Sequence, residues 1–475
     1  MRVLGIQFTA DDPARALTVA LVKHDSPAYG WRLHASLGDL LVDKERYTDA
    51  ADTYRAYAAQ HPGDVHSPVL QGRAIDAYLK GGFAELALEG KREYVELYAF
   101  DGPFWATRTR ESAPEVVAQL KSNLRDLAQH HHAMAQKGHK AADYQQAARW
   151  YRDLLKSFPD EPDTAETNYL LADLLFESGQ FREAALEYER TAYDRPSGPR
   201  SGTAAYSSLL AYDRHAESLK GAELEAWRAQ SIEGELRFAS TFPEHAEAPA
   251  VQVRAMQQLF DRREYERAIA EAGKVLTWLP PMPVERERLA LNVTADSEFE
   301  LARFDRAEAA YARLQPLVPP GDKAREAIDE RIAASIYKQA EAKQAAGDAN
   351  GAVDDFLRIA SSAPNASIRV NAEYDAGALL LREKQWPRAI EVLEAFRRDH
   401  GTHALAADIP RRLAGAYIEA GRPLEAAVEL ERISDTAAES AEARRLALEQ
   451  AADLNEKGGH PERAAVDWAN FVQRY

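Results

Sequence analysis

Cysteine is absent from this chain of 475 residues. That removes disulfides, thiolate nucleophiles and cysteine-ligated zinc together. No apolar run reaches the roughly 18 residues that a membrane-spanning helix needs. Met1-Arg2-Val3-Leu4 opens no apolar core of signal-peptide length, because Gly5 and Asp11-Asp12-Pro13 follow closely. Glycine-rich phosphate loops, HExxH and the nucleophile elbow are missing as well. Valine-isoleucine alternation is scarce, which argues against sheets. Positive charge is in deficit: 59 Lys and Arg face 76 Asp and Glu, a formal net charge of -17. Such a surface repels phosphate backbones and anionic lipids, so nucleic acid and membrane surfaces fall away as partners. The acidity otherwise serves solubility.

What is present points to helices. Hydrophobic residues make up 45% of the chain, ordinary for a folded protein, and alanine, leucine, glutamate and arginine dominate. The length exceeds one compact core, so the chain holds either several domains or a repeating array. The stretch Asn168 to Pro196 decides between them. Leu171, Leu174 and Leu175 recur at helical spacing, Ser178-Gly179 breaks the run, and Phe181, Ala184, Ala185 and Tyr188 begin a second amphipathic run that Pro196 ends. One such hairpin cannot bury its apolar face alone and needs copies on both sides.

The copies are there. Leu37-Gly38-Asp39-Leu40-Leu41 leads to Tyr47, Ala50, Tyr54 and His61-Pro62, and from Ala16 to Ala50 the interval is 34 residues. Further second helices are marked by Tyr265/Ala268, Phe304/Ala307/Tyr311, Ala352/Phe356, Trp386/Ala389/Phe396, Ala426/Leu430 and Ala464/Trp468. This pattern resembles the tetratricopeptide repeat, in roughly twelve units counting degenerate ones. The resemblance implies an all-α, right-handed α-solenoid of helical hairpins. Residues 1–99 would form the N-terminal repeats, the turn-rich 100–113 with exposed aromatics at Phe100, Phe104 and Trp105 a loop or boundary, and 114–475 the main solenoid. The first and last units read as cut within a repeat, with Arg2 to Phe8 the end of a first helix. Asp160 to Thr164 supply N-caps.

In this family the first helices line the concave side. Carried over position by position, that lining comprises Tyr169, Asp173 and Phe176; Val253, Gln257 and Phe260; Asn292, Asp296 and Phe299; Tyr337, Glu341 and Gln344; Tyr374, Ala378 and Leu381. It leans aromatic and acidic, with no basic residue among those positions. The candidate binding residues are therefore Tyr169, Asp173, Phe176, Phe260, Asp296, Phe299, Tyr337 and Tyr374. They imply a partner protein with an extended segment of apolar and basic residues. The lysine-asparagine set with which co-chaperone repeats clamp a C-terminal carboxylate is not matched: Ala35, Tyr169 and Tyr374 stand there. The competing account packs these aromatics between helices. Of the histidines, His130-His131-His132 point in different directions on a helix, and His132 and His139 alone make a poor metal site, so all read as surface residues.

The expected function is a non-catalytic scaffold without cofactor or metal. Spacers such as Ser157-Phe158-Pro159-Asp160, Thr241-Phe242-Pro243-Glu244 and Gln60-His61-Pro62-Gly63 resemble those of bacterial envelope scaffolds. They imply a periplasmic or outer-membrane-associated place, with the cytoplasm left open. The alternative is a helical accessory region of a larger cell-wall or polysaccharide-handling enzyme or export machine. A third is self-association through the chain ends.

Overall fold

The structure, a computed structural model, describes residues 10–23, 27–195 and 197–475. Arg2 to Phe8 and the helix-ending Pro196 lie outside them. Among the described residues every regular element is helical. The chain forms two compact units, residues 1–247 and 248–475. Among the described residues the first holds the helix Pro13–Val22 and five helical hairpins, and the second holds six hairpins. Each unit is an all-α stack in which a helix packs chiefly on its neighbours in sequence.

The hairpins form because alanine or glycine stands where two helices cross. Ala184, Ala307 and Ala389 are fully buried. At Gly38 a Cβ would lie 2.3 Å from the Tyr54 ring, so the first hairpin closes too tightly for alanine. Larger side chains then fill the space between hairpins. In the first unit Leu37, Leu41, Tyr54, Leu70 and Tyr78 share one core. In the second, Leu291, Tyr311, Ile332, Ile336 and Phe356 do the same.

Nine of the described hairpins share one turn, through a residue in the left-handed region: Glu45, Gly82, Gly179, Arg263, Ala302, Gly347, Lys384, Gly421 and Gly459. At Gly179 (φ 79°) the amide donates to the Phe176 carbonyl at 3.0 Å, and Gln180 N donates to the Leu175 carbonyl at 2.9 Å. The same pair recurs at Ala302 and Arg303, onto Phe299 and Glu298. These bonds satisfy carbonyls that the helix end would otherwise leave open. Helix lengths explain why the later repeats exceed 34 residues: Lys323–Ala345 has 23 residues, whereas Gly30–Asp43 has 14.

Three local expectations are corrected. Residues 100–113 carry two short 3₁₀ helices, Pro103–Thr107 and Arg110–Ser112. Phe104 and Trp105 are buried there, and Trp105 Nε1 donates to the Tyr98 carbonyl at 2.9 Å. Turn-rich composition describes the backbone, while these rings follow the apolar surface beneath it. Asp163 stands at an N-cap position but makes no capping bond, because Lys121 Nζ, 3.2 Å away, and Arg125 draw its carboxylate aside. His132 is buried, not on the surface, with Nδ1 3.0 Å from the Tyr151 hydroxyl.

Candidate functional site

The lining positions begin with a tie inside each hairpin. Tyr188 donates its hydroxyl to Asp173 at 2.5 Å, Tyr54 donates to Asp39 at 2.7 Å, and Tyr311 donates to Asp296. In each case the tyrosine follows the aspartate by 15 residues. That interval crosses the turn and brings the second helix back over the first. A hydrogen bond to a charged group contributes about 1.5–3 kcal/mol. Burial, and then the hydrogen bond to Asp173, hold the Tyr188 phenol above its ordinary pKa. Burial also holds the Asp173 carboxyl above the usual aspartate value, although the Tyr188 hydrogen bond opposes it. The carboxylates expected to greet a basic partner thus first serve their own hairpins.

The aromatic positions behave alike. Phe176 packs edge-on against Phe181 at 5.1 Å, Phe299 against Phe304 at 5.2 Å, and Phe260 lies 5.7 Å from Tyr265. Each pair spans its own turn, and all three phenylalanines are half-buried. Tyr169 is buried against Tyr188 at 5.7 Å, with the Arg200 guanidinium 4.7 Å from its ring centre. Tyr337 and Tyr374 reach the following hairpin: their hydroxyls donate to Asp375 on its first helix at 2.6 Å and to Asp408, just ahead of the helix Ile409–Glu419, at 2.9 Å.

One neighbourhood sets two lining positions, Asn292 and Asp296, beside open space. Between helices Val284–Glu300, Phe304–Leu314 and Lys323–Ala345 lies a cleft of about 420 Å³. Asn292 and Asp296 stand on its rim, while Leu314, Val318 and Ile328 form a buried apolar floor. Both Asp296 oxygens are engaged, one by Tyr311 and the other by Asn292 Nδ2 at 2.9 Å. Arg288 and Arg331 complete the rim. The Arg331 guanidinium lies 5.4 Å from the Phe299 ring centre, and neither arginine makes an ion pair among the described residues.

These two arginines escaped the sequence reading, which found no basic residue at the positions it carried over. Arg288 was within reach: it precedes Asn292 by one helical turn and continues the stripe to Asp296. Arg331 belongs to an overlong helix that the repeat register does not describe. A second cleft, of about 410 Å³, lies by Phe100 and Trp150 in the first unit. Its cations are already partnered: Arg149 with Asp153 at 3.6 Å, Lys156 with Asp101 at 4.0 Å, and Arg110 with the Ser157 carbonyl at 3.2 Å. Among the described residues no three His, Cys, Asp or Glu side chains gather as a metal site requires.

Stacked helical hairpins around small crossing residues define a helical-repeat protein. Residues 9–65 and 140–201 match the model of the tetratricopeptide repeat. These two stretches are tetratricopeptide repeats, and such repeats are protein-interaction modules. Among curated proteins none matches this sequence. Among solved structures it is similar to the TPR domain of P58(IPK), at 13% identity over 90% of this chain and 99% of that one, with a TM-score of 0.23. It is similar also to a tetratricopeptide repeat protein from Parabacteroides merdae (14% identity, 62% and 98% covered, TM-score 0.24). A third is the structure of Naa15/Naa10 bound to HypK-THB (12% identity, 92% and 67% covered, TM-score 0.28).

Proposed function

We propose that this protein is a non-catalytic scaffold that holds an extended segment of a partner protein along the face made by its first helices. The observation that carries this reading is the cleft beside Asn292 and Asp296, where an apolar floor is ringed by polar groups. A preformed surface of this kind leaves most of the ordering cost to the partner alone. Apolar side chains of the segment supply the affinity, and charged ones set its register. In this reading the scaffold works in the bacterial envelope, an inference carried by the spacer motifs alone.

A photo-crosslinking residue at Asn292, in the native host, tests the binding reading. One protein should be captured there and not from Asp305, an exposed position on the second helix. Capture from neither position, or equally from both, overturns it. Fractionation of the same cells tests the compartment.

A further inference from the structure

We infer that the cleft of the second unit takes an acidic side chain and an adjoining apolar one from the partner segment. The inference rests on the groove-binding reading above and sets the charge of its ligand. Arg288 and Arg331 bring two guanidiniums to the rim, and among the described residues no carboxylate is paired to either. Asp296 offsets them only in part, because Tyr311 and Asn292 each donate to one of its oxygens and leave it fewer free lone pairs. Glu285, the remaining acid of the lining, is exposed, as Arg331 is, so water and salt weaken both fields, and Glu285 pairs with neither arginine among the described residues. A lysine or arginine entering here would meet two like charges and a carboxylate already hydrogen-bonded at both oxygens. A carboxylate would meet two planar donors suited to it.

Below the rim, Leu314, Val318 and Ile328 offer a floor for one aliphatic or aromatic side chain. The space, about 420 Å³, is of the size that buries a side chain rather than a whole fold. A polyanion fits less well than a single acidic residue, since the chain around the cleft carries a net charge of -17. The occupant is thus an acidic-apolar protein segment, opposite in charge to the one the lining positions alone imply.

The test is selection of random displayed peptides on the full chain, repeated on the double variant Arg288→Gln/Arg331→Gln and on Arg306→Gln. Arg306 is an exposed arginine of the neighbouring second helix and does not line the cleft. Sequences enriched on the parent and on Arg306→Gln should pair Asp or Glu with an apolar residue, and the double variant should lose them. A selected peptide should bind about fivefold more weakly to each single variant, with a shallower salt dependence. Neither arginine is in an ion pair, so unchanged thermal unfolding of the variants separates lost binding from lost structure. Enrichment of lysine-rich or uncharged peptides, or binding indifferent to both arginines, overturns the inference and leaves the scaffold reading standing. If the parent enriches no peptide at all, both fall.

Discussion

Two hairpins of this protein match residue for residue at a constant offset and yet differ in what they leave available. In the first unit Asp173, Phe176, Gly179, Phe181, Ala184 and Tyr188 stand where Asp296, Phe299, Ala302, Phe304, Ala307 and Tyr311 stand in the second. Both carry the tyrosine-aspartate tie, the edge-on phenylalanine pair and the buried alanine. Both also have an arginine near the aromatic lining, but Arg200 is held by Glu166 at 2.5 Å while Arg331 has no carboxylate partner among the described residues. The repeat positions build the hairpin. What is left over for a partner is decided by residues outside the repeat pattern.

If the shared positions are structural, both hairpins should respond alike when these are changed. Ala184→Leu and Ala307→Leu should each cost about 1–3 kcal/mol through overpacking. Chemical denaturation measures this, and an unperturbed midpoint in either would break the equivalence. The turns should respond oppositely, because one left-handed residue is glycine and the other is not. Gly179→Ala should lower stability by about 1 kcal/mol, and Ala302→Gly should raise it by somewhat less than about 1 kcal/mol. Equal signs in the two melts would show that the turn conformation is not what limits them.

The ties come next. Tyr188→Phe and Tyr311→Phe should each lose about 1.5–3 kcal/mol. The losses should be similar, whereas a loss confined to one hairpin would make its aspartate a ligand-binding group first. The Arg200–Glu166 pair is half-exposed on both sides, so Glu166→Gln should change stability by about 1 kcal/mol or less, and less still in high salt. A larger change would make that pair part of the fold and not merely a cap on an arginine.

The smallest effects concern acid, and they sharpen the contrast from within the first unit. Burial lowers the pKa of His34 and His132 below 6.5, so the unfolded chain binds more protons than the folded one. Their contribution to stability is present above pH 6.5 and is lost as pH falls through the lowered values. Asp173 acts with the opposite sign: its raised folded pKa means that stability falls as pH rises from 3.8 through the raised value. Unfolding of Asp173→Asn should lack that lower slope, and His132→Gln should lack part of the upper one. Parallel curves for parent and variants would remove the assignment.

Much of the fold was legible because its signals are local. Leucine spacing, a turn and a small crossing residue fall within one hairpin, and Ala184 and Ala307 sit where such spacing puts them. The candidate lining was legible as positions and not as chemistry. Asp173 lies on the first helix as the register requires, but its partner Tyr188 is 15 residues away across the turn. No pattern within one helix reveals that bond. Arg331 was missed for a related reason, since its helix is longer than the regular repeat and its side chain is referred to a neighbouring helix. Trp105 was misplaced because turn-forming residues report the path of the backbone and say nothing of where an aromatic ring will rest.

The uniform turns have a mechanical consequence. Nine hairpins close through the same pair of backbone bonds, and within each unit a helix rests mainly on its neighbours in the chain. Among the described residues no distant strand or clasp locks the ends, so a pull along either unit meets no single barrier that guards the whole. It should peel one hairpin at a time, each releasing on the order of 120–160 Å of extended chain. Stretched in this way, either unit would behave as a ratchet of small, refoldable steps, lengthening under load without losing the hairpins still in place.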